Sequence, residues 1–177
     1  QNNIKNIALA VLNYESARKT TPVGMSFPVN QAPSIGTLQF FNANWIINVL
    51  PYMEQQPLYQ AFDLKQRINI NTTPLANNRN YNARGARLDV LLCPSDSFNA
   101  VLYQGASAAH GGNWGRTNYA GNAGGAFIHS ACGVGSDLCV TGADSEGWLS
   151  PKRRGVMGPN ISAPLKQIID GTSNTIL

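Results

Sequence analysis

The sequence contains two histidines, His110 and His129, and these are the first residues to test for catalytic chemistry. Ser107, His110 and Asp137 supply the residue types of a nucleophile, a base and an orienting acid. These types alone are weak evidence, since many folds can bring three such residues together. No Gly-x-Ser-x-Gly nucleophile elbow is present. The pattern therefore favours a protein that is not an enzyme, and a hydrolase is the least favoured class of function.

Three acids in a glycine-rich region could bind calcium through their carboxylate oxygens: Asp137, Asp144 and Glu146. The spacing of an EF-hand is absent, and isolated acids are usually solvated surface charges. We therefore expect no cofactor, and calcium at these three acids remains the alternative.

Cys132 and Cys139 enclose a short loop that contains two glycines, which make the loop flexible enough to bring the two thiols together. We expect a disulfide between them, which would indicate an oxidising compartment, while two unpaired thiols remain the alternative. The spacing of a zinc site is absent. No basic residue flanks Cys93, so a structural role is expected for this thiol.

The composition indicates one domain that is rich in uncharged polar groups. Only 12% of the 177 residues are charged, about half the usual share, whereas 43% are hydrophobic and 20 are asparagine. Such a chain forms many turns and many hydrogen bonds between side chains and the backbone. The net charge is +4, but the basic residues are scattered, so nucleic acid is not an expected partner.

The first element is a helix, predicted over residues 2–19 and ended by Pro22. Ile4, Ile7, Val11 and Leu12 recur at the three-to-four spacing of one helix face. We expect this face to pack against a sheet.

The rest of the chain is expected to form short helices followed by strands and ordered loops. The predicted elements are a helix over 43–50, a helical turn from 56, a surface loop over 65–87, a strand over 88–92, short strands over 106–147 and a strand over 174–177.

Five segments, spread from one end of the chain to the other, resemble the motifs of the DUF1559 proteins, a pilin-like family typical of Planctomycetes. They match the family forms NNLKQIGLALHNYE, LPYLEQ, LCPSD, NYAGN and DGTSNTIL in the family's order. The matching residues are Asn2, Asn3, Tyr14, Pro51, Glu54, Cys93, Pro94, Asp96, Asn118, Tyr119, Gly121, Asp170, Gly171 and Asn174.

The resemblance implies an α+β, pilin-like fold, in which a long N-terminal amphipathic helix packs on an antiparallel β-sheet with long Gly/Asn-rich loops. Residues 1–177 would form a single domain, with a helix stalk over 1–20 and a globular head over 21–177. We expect the native protein to continue beyond both ends, with an upstream helix in the inner membrane. The resemblance further implies that Cys93 pairs with a cysteine upstream of this region.

The expected function is that of a structural subunit of an extracellular bacterial filament or of a pseudopilus-like assembly of the type II secretion kind. Such a subunit would be exported through a prepilin-type pathway, remain at the cell surface and associate with copies of itself. The alternative is a surface module that binds a glycan or another ligand through Trp114 and Trp148.

Overall fold

The computed structural model describes residues 2–26, 42–69, 77–104, 112–124, 155–158 and 160–168. In these ranges the chain forms four α-helices, which are α1 (Asn2–Arg18), α2 (Trp45–Val49), α3 (Gln56–Ala61) and α4 (Arg79–Ala83). Shorter 3₁₀ turns lie at Leu50–Met53, Asp89–Leu91, Phe98–Ala100 and Leu165–Gln167.

Helix α1 confirms the predicted N-terminal helix, and its last turn has the features of a helix end. Arg18 places a positive charge near the negative end of the helix dipole. Lys19 adopts a left-handed backbone with φ of 63°, and its N–H donates to the carbonyl of Glu15 at 2.6 Å. Pro22 follows and prevents the helix from continuing.

Helix α2 lies between two apolar clusters and contributes to both. Its first turn is capped by Asn44, whose side-chain oxygen accepts a hydrogen bond from the N–H of Ile47 at 3.0 Å. One side of the helix packs with α1 in the first cluster, and the other side packs in the second cluster with residues in and next to α3 and α4. The first cluster comprises Ile7, Ala10, Val11, Trp45, Val49, Leu91 and Met157. The second comprises Ala43, Ile47, Leu50, Phe62, Ile68 and Ala83.

Helices α3 and α4 begin with residues suited to a helix start. Pro57 occupies the first turn of α3, as predicted from its position after Gln56. Asn78 caps α4 by accepting from the N–H of Tyr81 at 3.0 Å. Helix α4 lies inside the stretch 65–87 that was predicted to be a loop, so that prediction was wrong for residues 79–83.

Asn80 in α4 is buried and organises the chain before it. Its side-chain oxygen accepts from the N–H of Asp63 at 2.7 Å, and its side-chain nitrogen donates to the carbonyls of Asp63 and Arg67 at 2.9 and 3.0 Å. A buried amide with these partners meets the requirement that buried polar groups be hydrogen-bonded.

The predicted antiparallel sheet is wrong for the described part of the chain. Between described residues, the extended pairs are two isolated antiparallel bridges, Met25 with Asn44 and Tyr103 with Trp114. Helix α1 therefore packs on short helices and turns rather than on a sheet.

The segment 88–92 shows why the predicted sheet is wrong there. It was predicted to be a strand, but Asp89–Leu91 forms a 3₁₀ turn. The carbonyl of Leu91 accepts from the N–H of Asn118 at 3.0 Å and from the hydroxyl of Thr117 at 3.2 Å. Donors from distant loop residues thus satisfy this backbone where a neighbouring strand was expected.

The segment after α1 lies against residues from the far end of the described chain. The hydroxyl of Thr21 donates to the carbonyl of Val156 at 3.0 Å and accepts from the N–H of Ala163 at 3.1 Å. A Cβ at Gly24 would lie 2.0 Å from the carbonyl oxygen of Met157, so only glycine permits this close approach.

Candidate functional site

Several family-motif residues from distant parts of the sequence meet beside the first turn of α1. The side-chain nitrogen of Asn3 donates to the carbonyls of Asp89 and Leu92, at 3.2 and 2.8 Å. These bonds join the start of α1 to the turn that contains Cys93, 90 positions later in the sequence. The first and third motif segments therefore form one structural unit.

Asn118 joins a further motif segment to the same unit. Its side-chain oxygen accepts from the N–H of Cys93 at 2.8 Å, and its side-chain nitrogen donates to the carboxylate of Asp96 at 2.5 Å. An amide can donate and accept at once, so a single side chain satisfies both the backbone and the acid of the turn.

Asp96 has the partners of a structural carboxylate. One oxygen accepts from the N–H of Phe98 at 2.9 Å, and the other accepts from the side chains of Asn99 and Asn118. The hydrogen bond from Asn118 is the main cause that lowers the pKa of Asp96 below its ordinary value. Asp96 is therefore ionised near neutral pH and holds the turn closed.

Cys93 is a free thiol whose sulfur lies 3.0 Å from the hydroxyl oxygen of Ser95. Hydrogen bonds from Ser95 lower the pKa of the Cys93 thiol, while desolvation and the charge of nearby Asp96 oppose this shift. Ser95 is not a base, so this contact gives the thiol no proton acceptor. The pairing of Cys93 with an upstream cysteine stays a prediction, and its position next to Leu92 places it beside the first turn of α1.

Three motif residues from the first two segments lie in α1 and just after α2. The ring of Tyr14 makes an edge contact with the ring of Tyr52, with centroids 5.8 Å apart. Pro51 lies in the 3₁₀ turn after α2, and Glu54 ends that turn with φ of 60°. Three motif residues, Asp170, Gly171 and Asn174, lie outside the described ranges.

A groove of about 300 Å³ lies beside α1, and we call it the apolar groove. Its lining includes Ile4 and Ala8 from α1, Trp45 from α2, Tyr119 and Met157. Gly121 also lines it, and a Cβ at this position would lie 3.2 Å from the methyl carbon of Met157 and 3.4 Å from the indole of Trp45. The motif around Tyr119 therefore forms one wall of a groove whose other wall is α1.

Only part of the predicted packing face of α1 is buried in the structure. Ile7 and Val11 are buried, at 8% and 5% exposure, whereas Ile4 and Leu12 are 59% and 45% exposed. Ala10, which the prediction did not include, is 1% exposed and completes the inner face.

Ile4, Ala8 and Leu12 follow one another at four-residue spacing along the outer side of α1, and we call them the exposed ridge. Ile4 and Ala8 also line the apolar groove. The ridge and the groove thus form one continuous apolar surface on the longest helix.

The candidate chemistry from the sequence falls largely outside the described ranges. Those positions are Ser107, His110, His129, Cys132, Asp137, Cys139, Asp144, Glu146 and Trp148. Within the described ranges, no group of three His, Cys, Asp or Glu residues is placed to hold a metal ion.

Trp114, proposed as a ligand-binding aromatic, lies against the side chain of Arg84. The guanidinium carbon of Arg84 lies 4.0 Å from the centre of the Trp114 ring, so that face of the ring is occupied. The adjoining cavity, lined by Leu50, Phe62 and Trp114 among others, has a volume of about 100 Å³. Typical ligand pockets measure roughly 300–1,000 Å³. The cavity is therefore small for a sugar.

No local sequence pattern indicated the role of Arg84. The side chain is 6% exposed, and burial lowers its pKa from the ordinary arginine value to about 10. Its position in a stretch rich in asparagine and arginine predicted only surface charge.

No helix in the described ranges is both long and apolar enough to cross a membrane.

Comparison with known families and proteins gives one result. The family model SBP_bac_10, described as a protein of unknown function (DUF1559), matches residues 1–177, so the chain belongs to the DUF1559 family. Searches of curated proteins and of solved structures found no match.

Proposed function

We propose that this chain is a non-enzymatic, pilin-like structural subunit of an extracellular bacterial filament or pseudopilus-like assembly, and that copies associate through α1. The observation that carries this proposal is the exposed ridge. Its residues lie on a helix whose opposite side is fixed in the core by Ile7, Ala10 and Val11. The helix is thus held firmly while it presents an apolar surface.

The energetics favour covering this surface. Fully burying an aliphatic side chain is worth roughly 1.5–3 kcal/mol, and Ile4 and Leu12 leave about half of their surface in water. Their continuity with the apolar groove extends the patch, and a contiguous exposed apolar patch commonly marks an interaction surface.

Membership of the DUF1559 family supports the location, since the motifs resemble those of exported, pilin-like proteins. In this proposal the protein leaves the cell through a prepilin-type pathway, and an upstream helix anchors it in the inner membrane. Cys132 and Cys139 would form a disulfide outside the cell. Mass spectrometry of the unreduced native protein tests this, and free thiols at both positions would remove one support for export.

The main test combines negative-stain microscopy with sedimentation of the full-length protein. We expect concentration-dependent assembly, which Leu12→Glu should weaken because it places a charge in the apolar contact. Val101→Glu is the matched control, since Val101 is 67% exposed and lies away from α1 in the sequence. A protein that remains monomeric at every concentration would overturn the proposal.

A further inference from the structure

We propose that a polar groove beside α1, on a different face of this helix from the exposed ridge, binds a neutral glycan. Glu54, Gln55 and Asn13 are the residues that hold the hydroxyl groups of the glycan. This binding activity goes beyond the proposed function, because it concerns another surface of the molecule and a partner that is not a second copy of the chain.

The polar groove lies between α1, the 3₁₀ turn Leu50–Met53 and the 3₁₀ turn Asp89–Leu91. Asn6 and Asn13 line it from α1, and Glu54 and Gln55 line it from the residues that follow the first of these turns. Its volume is about 690 Å³, within the roughly 300–1,000 Å³ of typical ligand pockets. The groove therefore has room for an organic ligand.

Glu54 has a backbone conformation that its residue type disfavours. It ends the turn Leu50–Met53 in the left-handed region with φ of 60°, where glycine is the usual residue because it has no Cβ. Among the described residues, no base forms an ion pair with its carboxylate. A disfavoured residue type whose side chain has no partner of this kind is typical of a functional site.

Gln55 departs from a second local rule. It occupies the N-cap of α3, where Ser, Thr, Asp and Asn are preferred, and its side chain makes no capping hydrogen bond. The side chains of Asn6 and Asn13 are exposed and form no hydrogen bond to another described residue. Each of these three amides can donate and accept at once, so the groove offers paired donors and acceptors to a ligand.

The charges of the polar groove disfavour an anionic ligand. Arg87 lines the groove, but its guanidinium already pairs with the carboxylate of Asp89 at 3.0 Å. The carboxylate of Glu54 then leaves the groove negative, although the whole chain carries a net charge of +4. A phosphate or a nucleic acid would be repelled there. The groove instead suits a neutral molecule that is rich in hydrogen-bonding groups.

Apolar side chains complete the match to a sugar. Leu9, Tyr52 and Val90 line the groove together with the amides, and Leu9 is 48% exposed. A sugar ring carries hydroxyl groups at its edge and C–H groups on its two faces. It therefore needs hydrogen-bonding and apolar side chains in the same site, and the polar groove supplies both.

The polar groove and the exposed ridge occupy separate faces of α1. Since each residue of an α-helix advances by about 100°, the residues of α1 that line the groove, Asn6, Leu9 and Asn13, are centred about 130° around the helix from Ala8 of the ridge. Copies that associate through the ridge would therefore leave the polar groove accessible.

The test is isothermal titration calorimetry of the full-length protein with tetrasaccharides. The neutral probes are those of glucose, xylose, mannose and N-acetylglucosamine, and the charged probes are inorganic phosphate and a heparin tetrasaccharide. We expect binding of at least one neutral probe and no binding of the charged probes. Binding of none of the probes, or of the charged probes alone, would overturn the inference.

Glu54→Gly separates a binding role from a structural one. The variant should weaken binding of the tetrasaccharide on the order of ten-fold, because hydrogen bonds to a charged group are lost. Its melting temperature should stay unchanged or rise, because glycine adopts the left-handed backbone without strain. Wild-type affinity in this variant, or weaker binding that only accompanies a lower melting temperature, would count against the assignment.

Two amide variants locate the ligand. Asn13→Ala should weaken binding while the melting temperature is retained. Gln60→Ala is the matched control, since Gln60 is an exposed amide of α3 outside the polar groove, and it should leave binding unchanged. Equal effects of the two changes would place the ligand elsewhere and overturn the site.

Sedimentation of the same proteins separates this inference from the proposed function. Leu12→Glu should weaken assembly and retain glycan binding, whereas Glu54→Gly should weaken glycan binding and retain assembly. A protein that assembles but binds none of the probes overturns the glycan site alone. A protein that binds a tetrasaccharide but stays monomeric at every concentration overturns the structural-subunit proposal alone.

Discussion

The guanidinium carbon of Arg84 lies 4.0 Å from the centre of the Trp114 indole ring and 4.8 Å from the centre of the Tyr81 ring. Two guanidinium nitrogens donate to the carbonyls of Ile68 and Gly112, at 3.0 and 2.6 Å. One side chain thus joins α4 to the chain before it and to the bridge that pairs Trp114 with Tyr103.

Replacing Arg84 with lysine should destabilise the fold by about 2–3 kcal/mol. Lysine keeps a positive charge but cannot reproduce the planar stack and the two divergent hydrogen bonds. Urea denaturation measures the change. Arg87→Lys is the control, since its ion pair with Asp89 is exposed and should contribute less than about 1 kcal/mol. Equal effects of the two changes would contradict the structural role of Arg84.

Ile7→Asp should unfold the domain or release α1, at a cost of about 3–5 kcal/mol, because it buries a charge in the first cluster. Leu9→Asp, on the same helix but 48% exposed, should cost less than about 1 kcal/mol. Thermal melting of both variants checks the orientation of α1. An unchanged melting temperature in the Ile7 variant would refute the packing.

Asn118→Ala should cost about 1–3 kcal/mol, because it leaves the N–H of Cys93 and the carboxylate of Asp96 without their shared partner. Asn13→Ala, at an exposed position of α1, serves as the control and should change little. Hydrogen exchange at the amide of Cys93 gives a local measurement, and unaltered protection there would exclude the proposed role of Asn118.

Stability should fall in acid as Asp96 is protonated. Its pKa is depressed in the folded state, so the stabilisation is present above the unfolded pKa of about 4 and is lost as pH falls through the folded pKa. Unfolding followed from pH 6 to pH 2 measures this loss. In the Asn118→Ala variant the acid dependence should be smaller, since the main cause of the pKa shift is absent. The same slope in both proteins would show that Asn118 does not control Asp96.

The helices were predictable wherever local signals were sufficient. The spacing of Ile7 and Val11 predicted α1, and Pro57 marked the start of α3. The exposed and buried sides of α1 were less predictable, because Ile4 fits the same periodicity and is nevertheless 59% exposed. Periodicity locates an apolar face, but the width that is covered depends on neighbouring elements.

The sheet was predicted incorrectly because a short apolar run has no unique structure. The run from Leu88 to Leu92 is compatible with a strand or with a helical turn. The side chain of Asn3 bonds to this run from 86 or more positions earlier, and that of Asn118 bonds to Cys93 from 25 positions later. These bonds select the helical turn over the strand. The asparagine content predicted that such bonds exist, but it could not indicate which residues they would join.

The sequence predicted the motif residues of the candidate site individually, but it did not predict that they lie close together. Family resemblance identified Asn3, Asp96 and Asn118 individually, and the structure brings them together through side-chain amides. Tyr119 and Gly121 line the groove beside α1 because their segment is fixed by the same asparagine. The apolar groove is therefore a consequence of tertiary packing, which no local sequence pattern encodes.

The bonds of Thr21 have a consequence for the order in which the protein folds. The more distant partner of its hydroxyl, Ala163, is 142 positions later in the chain. At a synthesis rate of roughly 5–20 residues per second, the ribosome makes that partner roughly 7–30 s after Thr21. Helix α1 can form early, but the segment that follows it cannot form these hydrogen bonds until nearly the whole described chain has been synthesised. Contacts of such long range slow the final folding step, so the newly made protein passes through a period in which its first helix is exposed to premature association.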